Sequence, residues 1–257
     1  MNRQVLLPVF PKRIISLVPS QTELLFDLGL EEQIVGITKF CVHPEQLLKN
    51  KIIVGGTKQF NFEIIKSLKP DLIIGNKEEN EEYQIKALME LYPVWMSDIF
   101  NLKEALQMIE AIGSICNKKH QALKIVSDIT LNFEKLNLHI HSFLPQKTAY
   151  LIWRKPYMAA ANNTFINNLL EILKLENVLT NAQQRYPSLS IEELQKLNPE
   201  LILLSSEPFP FKEKHIREIQ AILPSAKIKL VDGELFSWYG SRLKHAPSYF
   251  KTLLETL

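Results

Sequence analysis

The sequence predicts an α/β protein of two similar lobes, each a mainly parallel sheet flanked by helices, joined by one long helix. Three observations carry this. Short apolar runs alternate with helix-period segments along nearly the whole chain, the pattern of parallel sheets covered on both faces. A stretch without Gly or Pro, Asn117 to Leu144, places Ala122, Ile125, Val126, Ile129, Phe133, Leu136 and Ile140 at spacings of three and four, one apolar stripe on a helix. From Lys118 to about Ser142 that helix runs roughly 37 Å, at about 1.5 Å per residue. Finally, the passage Asn61 to Ile74 is echoed by Ser190 to Leu203, with Glu, Leu, Pro, Leu and Ile at matching offsets. Each copy is a capped short helix, a Pro that ends it, and a buried strand. Copies on both sides of the long helix favour a bridge between like lobes over an ordinary helix lying on one sheet. The expected partition is 1–116, 117–144 and 145–257.

The elements read as follows. Arg13 to Val18 is a buried strand, then a helix capped by Ser20 or Thr22 runs through Leu24, Leu25 and Leu28 to Gly29. Ile34–Ile37 and Lys51–Val54 are strands, with a loop through Phe40, Cys41, His43 and Pro44 between them. Helix 62–68, strand 71–74, helix 79–91, strand 94–96 and helix 102–115 complete the first half. Asn117 reads as an N-cap of the long helix and Pro145 as its stop. Beyond it come strand 148–153, helix 165–173, a short strand or loop near Val178, helix 191–197, strand 201–204, helix 211–223, strand 227–231 and a last helix over 249–257.

With 257 residues, a charged fraction of 23% and a net charge of +2, the chain is ordinary globular, and nothing in it suits a nucleic-acid partner. Cys41 and Cys116 match no metal spacing and no disulfide framework, though folding can still bring them together. Within Met1 to Pro11 no signal-peptide core is visible and no run approaches a membrane span, so the chain as written is expected in the cytoplasm or trimmed.

Ligands of parallel α/β sheets bind beyond the carboxyl ends of the strands. In the second half those ends are rich in rings and Arg: Trp153, Arg154, Tyr157, Arg185, Tyr186, Phe236 and Trp238. Aromatic faces with Arg suit a large, flat or anionic ligand; core packing is the competing role for each ring. Catalysis finds no support: there is no GxSxG elbow, Ser205-Ser206 has no neighbouring His, and Gly55-Gly56-Thr57 is too short for a phosphate loop. The histidines are scattered; His139 and His141 point to different sides of a helix, and no metal ligands are assigned.

Three passages, Pro11 to Leu24, Asn61 to Ile74 and Tyr186 to Leu203, resemble the helical-backbone class of ABC-importer substrate-binding proteins, which capture cobalamin, ferric siderophores and haem. The resemblance implies a monomer without enzymatic activity or required cofactor. It would bind a small-molecule metal complex, a corrinoid or a ferric chelate, and deliver it to an ABC permease. One Glu per lobe meets the permease in that family, and by position these are Glu63 and Glu192. Ligand-contacting rings of cobalamin-binding members fall on Phe40 and Tyr186, while two others fall on Thr57 and near Asn76, where this chain has no ring. Lys58, Arg154 and Arg185 suit an anionic chelate. Family members act in the periplasm or at the cell surface; the alternative is a cytoplasmic chaperone, sensor or salvage protein for a cofactor or metal.

Overall fold

A computed structural model describes residues 5, 7, 9–141 and 143–257, without the side chains of 46–48. The remainder of the amino terminus read above for a leader, and Ser142 at the expected helix end, lie outside the described residues. By its contacts the chain divides into two compact units: Met1–Ile99, Lys103–Ile129 and Trp238–Lys244 form one, and Phe100–Leu102, Thr130–Ser237 and His245–Leu257 the other.

The first unit is built on a five-stranded parallel sheet of order β3-β2-β1-β4-β5. Its strands are β1 (Ile14–Ser16), β2 (Ile34–Ile37), β3 (Ile52–Ile53), β4 (Leu72–Asn76) and β5 (Val94–Ser97). Helices α1 (Pro19–Asp27), α2 (Glu45–Asn50), α3 (Phe62–Leu68), α4 (Glu82–Met89) and α5 (Leu102–Ile115) connect and follow them. Ile15, Leu17, Val54, Ile65, Ile73, Leu88 and Val94 form a core on one face of this sheet. Burial on both faces explains why β4 reads as an unbroken apolar run.

The second unit carries a six-stranded mixed sheet of order β11-β10-β6-β7-β9, with β8 also on β6. Its strands are β6 (Gln146–Trp153), β7 (Tyr157–Ala159), β8 (Leu175–Asn177), β9 (Ser188–Leu189), β10 (Leu201–Ser205) and β11 (Lys227–Val231). Pairings β6–β8, β6–β10 and β10–β11 are parallel; β6–β7 and β7–β9 are antiparallel. The parallel order β11-β10-β6-β8 therefore reproduces β5-β4-β1-β2 of the first unit. Helix α6 (Lys119–Ile140) falls in the first unit up to Ile129 and in the second from Thr130. The second unit then holds α7 (Phe165–Ile172), α8 (Ile191–Leu197), α9 (Glu213–Gln220), α10 (Gly233–Ser237) and α11 (Ala246–Glu255), while a 3-10 turn, Ser241–Lys244, belongs to the first.

The duplicated passage is duplicated in structure. Asn61 caps α3 by accepting from Ile64 N at 3.1 Å, and Ser190 caps α8 by accepting from Glu193 N at 3.1 Å. Both helices end in a left-handed residue, Lys69 at φ 43° and Asn198 at φ 44°, before a buried Pro and a buried strand. The likeness extends past the residues that match: Asp71 accepts from Arg13 N at 2.9 Å, and Glu200 from Lys147 N at 2.9 Å. Each carboxylate thus pins the strand about to pair with its own.

Several expectations need correction. Asn117 is not an N-cap; at φ 55° it turns the chain out of α5. Neither Ser20 nor Thr22 caps α1, which begins at Pro19 with Val18 as its cap; Pro is suited there because its missing N–H is one the helix leaves unpaired anyway. Thr22 Oγ1 instead bonds back to Val18 O at 2.9 Å. Strands β7 and β9 and helices α2 and α10 were not anticipated, and the helix expected over 211–223 is shorter, Glu213–Gln220.

Candidate functional site

In the first unit the chain steps outward from β1 to β3 and then returns to place β4 beside β1, so the strand order reverses between β1 and β4, the switch point where such sheets offer a crevice. Side-chain amides fill it here. Asn80 donates to Leu17 O at 3.2 Å and Thr57 O at 3.0 Å, and its Oδ1 accepts from Asn76 N at 2.9 Å. Asn76 Nδ2 reaches Ser97 Oγ at 3.0 Å, and Gln21 Nε2 donates to the same oxygen at 2.6 Å. All these side chains are buried, and their mutual bonding offsets the cost of removing amides from water. The result is a fixed polar floor joining α1, β4, β5 and the loop after β3.

Around that floor stand the expected residues. Phe40 is 50% exposed, with Lys39 Nζ 5.1 Å from its ring centre. A Cβ added at Gly56 would lie 3.3 Å from the Phe40 ring, so the glycine leaves room for it. Lys58 Nζ is held by Glu78 O at 3.1 Å and Glu81 at 3.5 Å. Trp238, expected with the second lobe, folds with the first unit, where its ring meets His43 edge-on at 5.6 Å and is only 6% exposed.

In the second unit, Trp153 at the end of β6 is 40% exposed and meets Phe209 edge-on at 5.7 Å. Arg154 donates to Glu218 at 2.6 Å, so its charge is balanced within the unit. Tyr157 packs against the apolar core of Leu151, Leu204 and Ile219. Arg185 lies 4.2 Å from the Phe100 ring centre, a cation over an aromatic face, and Tyr186 beside it is half-buried. Phe236 must be corrected: it has no exposed surface and packs on Phe250 at 4.7 Å and Tyr150 at 5.0 Å. It is a core residue, because α10 turns that side chain under the sheet.

An open cavity of about 540 Å³ lies at the carboxyl ends of β10 and β11, lined by Ser206, Phe211, Leu230, Val231, Asp232, Glu234 and Tyr249. Its polar rim is ordered: Asp232 N donates to Tyr249 Oη at 2.9 Å, and Gly233 N to Ser206 Oγ at 2.9 Å. Burial raises the Tyr249 phenol above its ordinary pKa, so it stays a neutral hydroxyl. Among the described residues no three His, Cys, Asp or Glu side chains converge as metal ligands. Both cysteines are free and buried. The strand ends of each unit, taken by themselves, offer rings, hydroxyls and amides suited to ligand contacts.

Against known families, a model described as periplasmic binding protein matches residues 14–224. This chain belongs to that family. Among relatives of the periplasmic binding protein, the vitamin B12-binding protein of Vibrio cholerae is 27% identical over 198 residues, 76% of this chain and 71% of that protein. An ABC transporter substrate-binding lipoprotein of Bacillus subtilis is 25% identical over 211 residues, 79% of this chain and 66% of that one. A crystal structure of the periplasmic vitamin B12 binding protein of Vibrio cholerae superposes with a TM-score of 0.85 at 25% identity, covering 97% of this chain and 98% of that one. A ligand-binding role and an α/β fold of two lobes are thus shared with the family. In this chain Glu63 and Glu192 occupy the same place in each copy of the repeat, the second residue of α3 and of α8, and both are exposed. No described helix is long and apolar enough to cross a membrane.

Proposed function

We propose that this protein captures a small-molecule metal complex, a corrinoid or an anionic ferric chelate, and delivers it to an ABC permease. The observation that carries the reading is the likeness to a vitamin B12 binding protein over 97% of the chain. The strand ends support it further: Phe40 and Lys58 in one unit, and Trp153, Tyr157, Arg185 and Tyr186 in the other, supply stacking faces and cations. The experiment is a titration of purified protein with cyanocobalamin, cobinamide, haemin and ferric siderophores, followed by calorimetry and visible absorbance. Saturable binding of one of these is expected, and no binding to any of them sinks the reading.

Permease docking is assigned to Glu63 and Glu192. Each sits in the first turn of a capped helix, where the helix dipole favours a negative charge, and neither is ion-paired among the described residues. Two like-placed acids suit two cations on a partner. Glu63→Ala and Glu192→Ala should leave ligand affinity unchanged while weakening association with the reconstituted permease; unchanged association excludes them.

A further inference from the structure

The chain leaves the second unit after Ser237, contributes Trp238–Lys244 to the first, and re-enters the second at His245. This strap is tied to α1 at several points. Gly240 lies so close to the helix that an added Cβ would sit 2.5 Å from Ser20 O, so any larger residue would push the strap away. Arg242 then grips Glu23 with both arms of its guanidinium, Nε to Oε2 at 2.9 Å and NH2 to Oε1 at 2.8 Å. One turn along α1, Asp27 takes Lys244 Nζ at 3.1 Å. The Arg242 guanidinium also stands over the Trp238 ring at 4.9 Å, while His43 meets that ring edge-on.

A forked pair fixes orientation in a way a point charge does not. The Glu23 and Arg242 side chains are each only 16% exposed. Desolvation of such a pair opposes much of its attraction, so its main contribution is to geometry. Consistent with this, burial holds the Glu23 carboxyl above its ordinary pKa even with Arg242 beside it and His43 near. We infer that Glu23 and Arg242 are positioning residues: their forked pair latches the strap onto α1 and keeps the Trp238 ring covered. The inference holds whatever the ligand proves to be.

The test uses the full chain with Trp95→Phe and Trp153→Phe, which leaves Trp238 as the sole tryptophan. Iodide quenching of Trp238 should rise several-fold in Arg242→Ala and partly in Arg242→Lys. The exchanged pair, Glu23→Arg with Arg242→Glu, should restore shielding towards the parent, which a loss of bulk packing alone would not allow. Trp238 equally shielded in Arg242→Ala and parent overturns the inference. Should Arg242→Ala fail to fold, hydrogen exchange on the unaltered protein decides. The Leu243 amide, bonded to Gly240 O at 3.2 Å, should then open together with α1. Free exchange across the strap while α1 stays protected overturns the latch.

Discussion

Cys41 and Cys116 are buried, and burial pushes both thiols up, Cys116 to about 12. Cys41 also lies within 3.2 Å of the Thr22 hydroxyl and 3.3 Å of that of Thr38. A thiol that is both neutral and out of reach does not attack a disulfide reagent. Native protein at mildly alkaline pH should therefore show almost no reaction with Ellman's reagent, and both thiols should appear on unfolding; rapid native labelling would count against this packing. His215 gives a pH signature. It packs against the rings of Phe209 and Phe211, and its Nδ1 accepts from Lys212 N at 2.9 Å, which a protonated ring cannot do. Burial, then the nearby Arg154, hold its pKa below the ordinary value. The unfolded chain thus takes up the proton first as pH falls. The stability this residue contributes is full above about 6.5 and is lost as pH drops from there through the folded value. Urea midpoints across that window should fall in the parent, and should fall less in His215→Phe, which keeps a ring but does not titrate.

At the scale of elements, the turn between α5 and α6 depends on one glycine. A Cβ on Gly113 would lie 2.3 Å from the Ala122 Cβ, and the atom in the way cannot swing aside as a long side chain would. Gly113→Ala must force the two helices apart, a cost of about 1–3 kcal/mol by overpacking. Adding Ala122→Gly reopens the space, so the double variant should recover most of the loss in denaturant unfolding; an unaffected single variant would refute the close approach. This contact between successive helices had no signal in the sequence. What was legible was local: the caps Asn61 and Ser190, the stops at Pro70 and Pro199, and the long-helix stripe, of which Ala122, Ile129, Phe133, Leu136 and Ile140 are buried and Ile125 and Val126 half-buried. Strands β7 and β9 escaped notice because three and two residues carry no period. The same limit applied to the site. Residue type singled out Trp153, Arg185 and Phe236 alike, and type alone does not tell which side of the sheet a ring occupies; Phe236 lies in the core. The Glu23–Arg242 pair spans 219 residues and had no local signal.

For the molecule as a whole, duplication means that each unit presents its own set of strand ends, and the two sets differ in chemistry. The first has a floor of buried, mutually bonded amides with Phe40 and Lys58 at its margin, and Lys58 is balanced by Glu81. The second has more rings, and its Arg185 guanidinium is stacked over the Phe100 ring. A guanidinium pre-set on a ring loses little freedom when it meets an anionic group. Arg185 should therefore sort ligands by charge. A ligand present at a hundred times its Kd stabilises the folded chain by about 2.7 kcal/mol. Losing one charge-assisted contact lowers affinity by about tenfold or more. Arg185→Gln should then remove about half of the melting-temperature shift produced by haemin or an anionic ferric siderophore at that concentration. The shift produced by a corrinoid without net charge should hardly change. Equal losses for both ligand classes would mean that Arg185 supports the fold of its loop, through its stacking on Phe100, and does not meet the ligand's charge.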